Sequence, residues 1–104
     1  MNTTKESNSN SYTFEEDAFY IIGLLKICIE KKEWNESVRI EINQFYETDY
    51  EDENPQISKE IASVYMAFLG KTDFKNIESV ANEQHLQKLM WELELIENKL
   101  GTSY

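Results

Sequence analysis

The chain has 104 residues, with twenty acidic side chains against ten basic ones and a net charge of −10 at pH 7. Such a charge repels nucleic acid and anionic membranes and attracts basic proteins, and the longest basic run, Lys31-Lys32, is too short to form a DNA- or RNA-binding face. Three glycines and one proline favour long helices over a turn-rich β-fold, and the single cysteine excludes an internal disulfide.

The first twelve residues are rich in Asn, Ser and Thr, so we predict that residues 1–12 are disordered and precede a single helical domain at residues 13–101. This segment lacks the apolar stretch of a signal peptide. No part of the chain approaches the roughly 20 apolar residues that a membrane span requires. We therefore expect a cytoplasmic protein that does not contact a membrane.

Thr13 and Glu16 have the spacing of a capping box, which predicts a first helix starting at Phe14. Its apolar residues recur at three- and four-residue intervals, as on one helix face: Phe14, Ala18, Ile21, Leu25, Cys28 and Ile29. Further apolar residues widen this face: Tyr20, Leu24 and Ile27. We expect so apolar a helix to lie at the centre of the domain or against a partner.

A second helix is predicted after Asn35, which is a suitable cap. Its apolar side would carry Val38, Ile42, Phe45 and Tyr46. The alternation of apolar and polar residues at 38–42 would also fit a short strand. The continuation of the apolar face through Phe45 and Tyr46 favours the helix.

Asn54 and Pro55 predict the start of a third helix, with Asn as cap and Pro at the first helical position. Gly70 is expected to end it. The inward-facing residues of this helix would be Ile57, Ile61, Val64, Tyr65 and Phe68.

A short fourth segment, capped by Thr72 or Asp73, would carry Phe74, Ile77 and Ala81. We predict a break near Asn82, because a straight continuation would place the following apolar residues on the wrong side. The last helix then runs from about Glu83 to Leu100, and Gly101 ends it. Its apolar residues have the spacing of a bundle seam: Leu86, Leu89, Leu93, Ile96 and Leu100.

Two polar turns, at residues 31–35 and 71–75, each place one aromatic residue between two helices. This pattern resembles the helical hairpin of tetratricopeptide repeats, and the resemblance implies that the helices pair. The predicted fold is therefore an all-α bundle of four to five helices, built from two αα-hairpins plus a C-terminal helix.

Few residues could carry out chemistry. His85 is the only histidine, and a di-iron type of metal site would need an acid at the position of Asn82. Cys28 lies on the apolar face of the first helix, where a cysteine behaves as a small hydrophobic residue. The sequence contains no phosphate-binding loop, nucleophile elbow or calcium loop. We expect no enzyme activity, no cofactor and no metal.

An acidic run with two tyrosines is the most distinctive feature of the sequence. It comprises Tyr46, Glu47, Asp49, Tyr50, Glu51, Asp52 and Glu53. We interpret it as an anionic docking surface in which the tyrosines supply rigid contact area. The alternative is a solvated loop that only adds solubility.

Trp91 and Leu95 form a second candidate surface, because they point roughly opposite the seam of the last helix. This pair either belongs to an interface or is covered by the segment at residues 73–81 or by the N-terminal residues.

A small, acidic, helical chain with an acid-rich loop is similar to the nuclease-colicin immunity proteins. That resemblance implies a stoichiometric inhibitor of a basic protein, such as a nuclease toxin or a host defence nuclease. The chain would then be an immunity protein, an antitoxin or a phage anti-defence inhibitor that does not itself bind nucleic acid. The alternative is a helical adaptor or a homo-oligomeric module, for example a homodimer, that uses its apolar helix faces.

Overall fold

The structure, a computed structural model, describes residues 13–101. Residues 1–12, for which we predicted disorder, lie outside the described residues. Four α-helices follow one another: α1 (Phe14–Lys31), α2 (Glu36–Glu47), α3 (Pro55–Lys71) and α4 (Val80–Gly101). A single short 3-10 turn, Phe74–Asn76, lies between α3 and α4. The predicted all-α class is confirmed, and the strand alternative for residues 38–42 is wrong because they belong to α2.

The predicted helix starts are confirmed in their hydrogen bonds. Thr13 Oγ1 accepts a bond from the backbone N–H of Glu16 at 3.1 Å, and the Glu16 carboxylate accepts one from the N–H of Thr13 at 3.2 Å. The side chains of Asn35 and Asn54 each accept a bond from the N–H two residues further on. Each cap satisfies a backbone donor that the first turn of a helix leaves without a partner.

The predicted end of the third helix is wrong by one residue. Helix α3 continues through Gly70 to Lys71, and Gly70 does not adopt the left-handed conformation of a glycine cap. The chain leaves the helix in an extended conformation at Thr72. Asp73 then caps the 3-10 turn by accepting bonds from two backbone N–H groups. The helix therefore ends where a polar side chain begins the next turn.

The predicted break near Asn82 is also wrong, because α4 already begins at Val80. Asn82 lies in the first turn of α4 and is buried. Its side-chain oxygen accepts a bond from the N–H of Asp73 at 2.8 Å, and its amide donates to the carbonyl of Ile77 at 3.1 Å. The hydroxyl of Ser79 accepts from the N–H of Asn82 and so caps the helix. Asn82 thus links the turn to α4 and does not separate them.

The four helices share one apolar core. Helix α1 contacts each of the other three, and α4 packs against both α1 and α3, so α1 is central as its wide apolar face predicted. The predicted seam of α4 is confirmed in full, because all of its residues are buried: Leu86, Leu89, Leu93, Ile96 and Leu100. Within residues 13–101, no helix is both long and apolar enough to cross a membrane.

Candidate protein-binding surfaces

The acidic run forms the end of α2 and the loop that leads to α3. One of its carboxylates is held against α1, because Asp52 Oδ1 accepts a hydrogen bond from the backbone N–H of Phe14 at 3.1 Å. The first N–H groups of a helix lack partners within the helix and carry the positive end of its dipole. Asp52 is therefore a second cap of α1, supplied by a loop that is distant in the sequence.

Tyr50 fastens the same loop from the inside. Its ring lies nearly perpendicular to that of Phe14, with centroids 5.5 Å apart, and also contacts Phe45 at 5.6 Å. Its hydroxyl donates a hydrogen bond to the carboxylate of Asp17. Burial, assisted by this bond, raises the pKa of Tyr50 above the usual value for tyrosine. The ring that we predicted to contact a partner is turned towards the core, where it positions the loop.

Tyr46 is more exposed than Tyr50, although its hydroxyl is also bonded. The hydroxyl donates to the backbone carbonyl of Ser58 at 2.8 Å and so joins α2 to α3. Burial raises the pKa of Tyr46 to about 12. The residue is nevertheless 41% exposed, so of the two tyrosines it presents more surface to solvent, because Tyr50 is half-buried.

The loop contacts bring two groups of acids together. The first turn of α1 contains three acids, and the bonds from Phe14 and to Asp17 hold the acidic loop against that turn. We call the resulting cluster of eight carboxylates the acidic end: Glu15, Glu16, Asp17, Glu47, Asp49, Glu51, Asp52 and Glu53. The ion pairs of the described residues use other carboxylates, namely Glu36, Glu60, Glu83 and Glu97. The sequence run alone showed only five of these eight acids.

The opposite end of the molecule is nearly neutral. Residues 30–39 and 71–83 contain six acids and five bases. The two segments lie at the same end of the bundle: Lys32 pairs with Glu83 at 2.6 Å, and the ring of Trp34 lies against that of Phe68. The negative charge of the described residues is therefore concentrated on one side of the molecule.

Trp91 and Leu95 are exposed, as the interface interpretation requires. Trp91 is 61% exposed and Leu95 60%, on the side of α4 that faces away from the seam. At this exposure the segment at residues 73–81 does not cover them, and its Phe74 packs against Phe68 instead. The N-terminal residues, which are the other cover that we considered, lie outside the described residues. Leu95 also borders a shallow cleft of about 270 Å³ between α3 and α4, whose rim includes Glu92.

The two residues whose side chains are most able to take part in a reaction, His85 and Cys28, lie apart from these surfaces. His85 is half-buried on α4. Cys28 is buried, and burial raises the pKa of its thiol, which agrees with its interpretation as a small hydrophobic residue. Within the described part of the chain, no group of three or more histidine, cysteine, aspartate or glutamate side chains is placed to hold a metal ion.

Two surfaces therefore remain as candidates, the acidic end and the exposed side of α4. No known protein family matches the chain, and neither a characterised protein nor a solved structure is similar enough to count as a match.

Proposed function

We propose that this protein is a non-enzymatic, cytoplasmic inhibitor that binds a basic, nucleic-acid-handling protein in a fixed stoichiometry through its acidic end. A nuclease toxin or a host defence nuclease is the kind of partner that fits. The role would be that of an immunity protein, an antitoxin or a phage anti-defence inhibitor. The observation that carries the proposal is the concentration of eight carboxylates at one end of the molecule, in two segments, residues 13–17 and 47–58, that contain no base.

A nuclease cleft has a positive potential because it binds phosphates, and a cluster of carboxylates is attracted to the same groups. Tyr50 and Asp52 hold the acidic loop in place before binding, so less conformational freedom is lost when the complex forms. The exposed part of the Tyr46 ring adds apolar contact area beside the charges.

The proposal is tested by neutralising the acids of the run whose side chains make no hydrogen bond or ion pair within residues 13–101. A variant with Glu47→Gln, Asp49→Asn and Glu51→Gln removes three exposed charges and leaves the Asp52 cap intact. The test protein is a nuclease that co-purifies with this protein from the source organism. We expect the variant to associate with it at least about tenfold more slowly at low salt, because charge steering accelerates association by orders of magnitude. Stopped-flow association and nuclease inhibition measure the effect.

A matched control removes the same amount of charge at the nearly neutral end. The variant with Glu30→Gln, Glu33→Gln and Glu78→Gln neutralises three exposed acids there. It should bind and inhibit like the parent. Equal loss of binding in both variants would show that only net charge matters. No loss of binding in either variant would show that the acidic end contributes only to solubility.

The exposed Trp91 and Leu95 favour a second candidate, a helical adaptor that binds its partner through an apolar face. Salt distinguishes the two functions. The association rate of a charge-steered inhibitor falls steeply as ionic strength rises, whereas that of an adaptor with an apolar interface changes little.

A further inference from the structure

The side of α4 opposite the seam is a continuous exposed stripe. Its residues recur at three- and four-residue intervals, and we call them the outer face of α4: Gln84, Gln87, Lys88, Trp91, Leu95 and Asn98. Four of these six side chains are polar, as on a helix face that meets solvent. The two apolar ones are Trp91 and Leu95, which lie one turn apart and are 61% and 60% exposed.

We infer that the outer face of α4 is the interface through which two copies of this chain form an antiparallel homodimer. Trp91 and Leu95 lie at the middle of the face, where an aromatic and an aliphatic side chain would lose the most contact with water. The other residues of this face are three amides and one lysine, and the two nearby carboxylates, Glu92 and Glu94, lie on its opposite flanks, so no cluster of like charges opposes contact along the face.

Lys88 and Glu92, which lie near Trp91, carry opposite charges, so a two-fold axis between two copies can bring each of them opposite the other. Glu92 lies on the flank of α4 that borders the cleft to α3, and Lys88 lies one turn earlier on the same side. Neither side chain forms an ion pair with another residue of the described range. In an antiparallel pair, a flank faces the same flank of the other copy. An axis near Met90 therefore brings Lys88 of each copy level with Glu92 of the other, which gives two equivalent ion pairs.

The acidic end determines the direction of the pairing. Lys99 Nζ lies 2.8 Å from the Glu60 carboxylate, so the C-terminal end of α4 lies beside the start of α3 and hence on the side of the acidic loop. A parallel dimer would place two clusters of eight carboxylates side by side. An antiparallel dimer centred on α4 separates them by about 33 Å, the length of a 22-residue helix. This is more than three times the screening length of roughly 8–10 Å at physiological salt.

The first experiment measures self-association of the full chain by sedimentation equilibrium and by tryptophan fluorescence, with Trp91→Phe giving the separate signal of Trp34. We expect a concentration-dependent dimer, with Trp91 emission shifted to shorter wavelength in the associated state. Trp91→Ala and Leu95→Glu should each raise the dimer dissociation constant roughly 30-fold or more, as expected for a central interface residue. Met66→Ala is the matched control, because Met66 is equally exposed, at 66%, but lies on α3.

The second experiment tests the antiparallel register by exchanging charges. Lys88→Glu alone and Glu92→Lys alone should each weaken the dimer about tenfold, because each places like charges opposite one another. The double variant with both exchanges should restore the parent dissociation constant. Circular dichroism confirms that each variant remains folded.

Two results would overturn the inference. One is a parent chain that stays monomeric at its highest soluble concentration, and the other is a dimer that Trp91→Ala, Leu95→Glu and the charge exchange leave unchanged. Because the measurements use the chain alone, they do not depend on whether the acidic end binds a basic partner.

Discussion

At the scale of single residues, the acidic run divides into side chains with different tasks. Asp52 and Tyr50 hold the loop against the first turn of α1, whereas Glu47, Asp49 and Glu51 are exposed to solvent or to a partner. The capping residues of α1, α2 and α3 could be predicted because a cap and its helix are neighbours in sequence. The partners of Asp52 and Tyr50 lie 38 and 33 residues away, so no local pattern indicates them.

We expect Tyr50→Phe to lower the free energy of unfolding by about 1–3 kcal/mol at pH 7, because it removes a hydrogen bond to a charged carboxylate. The raised pKa of Tyr50 also predicts a pH dependence. The contribution of its hydroxyl is fully present below about pH 10, the pKa of tyrosine in unfolded chains, and is lost as pH rises through the higher folded pKa.

Urea denaturation between neutral and alkaline pH measures this dependence. The parent should lose stability above about pH 10, where an unfolded tyrosine ionises, and Tyr50→Phe should lose less. Tyr20→Phe removes a hydroxyl from an exposed ring on α1 and serves as the control. Equal alkaline destabilisation of the parent and Tyr50→Phe would contradict the role that we assign to this bond.

At the scale of elements, the apolar faces were predictable and the connection between α3 and α4 was not. Every residue of the predicted α4 seam is buried, because helical spacing is a local property of the sequence. The start of α4 was placed three residues too late. Asn82 is a common capping residue, but Ser79 takes that role, and Asn82 is buried in the helix and bonded to the preceding turn.

Leu93 and Leu95 allow a direct comparison of the two sides of α4. Leu93 is 0% exposed and Leu95 is 60% exposed, so the same substitution removes core contacts at one position only. We expect Leu93→Ala to lower the free energy of unfolding by about 2–5 kcal/mol and Leu95→Ala to change it by less than about 0.5 kcal/mol. Chemical denaturation at low protein concentration keeps self-association out of the comparison. Similar losses in the two variants would place Leu95 in a core that the structure does not show.

At the scale of the whole molecule, charge is distributed unequally between the two ends. The sequence shows a net charge of −10 and an acidic run, but three more acids join that run only because the loop folds back onto α1. This contact depends on tertiary structure, which composition and helical periodicity do not describe. The function remains a proposal for the same reason: a charge cluster indicates the sign of a partner, not its identity.

Repulsion within the acidic end predicts a stabilising effect of salt. We expect the melting temperature of the parent to rise with NaCl concentration, because counter-ions screen the eight carboxylates. At low salt, the variant with Glu47→Gln, Asp49→Asn and Glu51→Gln should melt about 2–4 °C above the parent and respond less to salt. Differential scanning calorimetry measures both effects.

The comparison for this prediction is the triple variant at the other end, with Glu30→Gln, Glu33→Gln and Glu78→Gln. These acids lie among bases, so their removal should not reduce the response to salt. If the two triple variants respond to salt in the same way, the unequal distribution of charge has no influence on stability.

Because Cys28 is buried, the rate at which its thiol is labelled can report how often the helix around it opens. This thiol is the only one in the chain, it is 3% exposed, and it lies on the helix that contacts all the others. Cys28 lies in the last turn of α1, so a thiol reagent reacts only when that end of the helix opens, and the labelling rate counts such openings. The acidic end is built on the first turn of that same helix. A partner that binds there would hold α1 in place. Its binding would then slow the labelling of the Cys28 thiol, although the partner does not contact that residue.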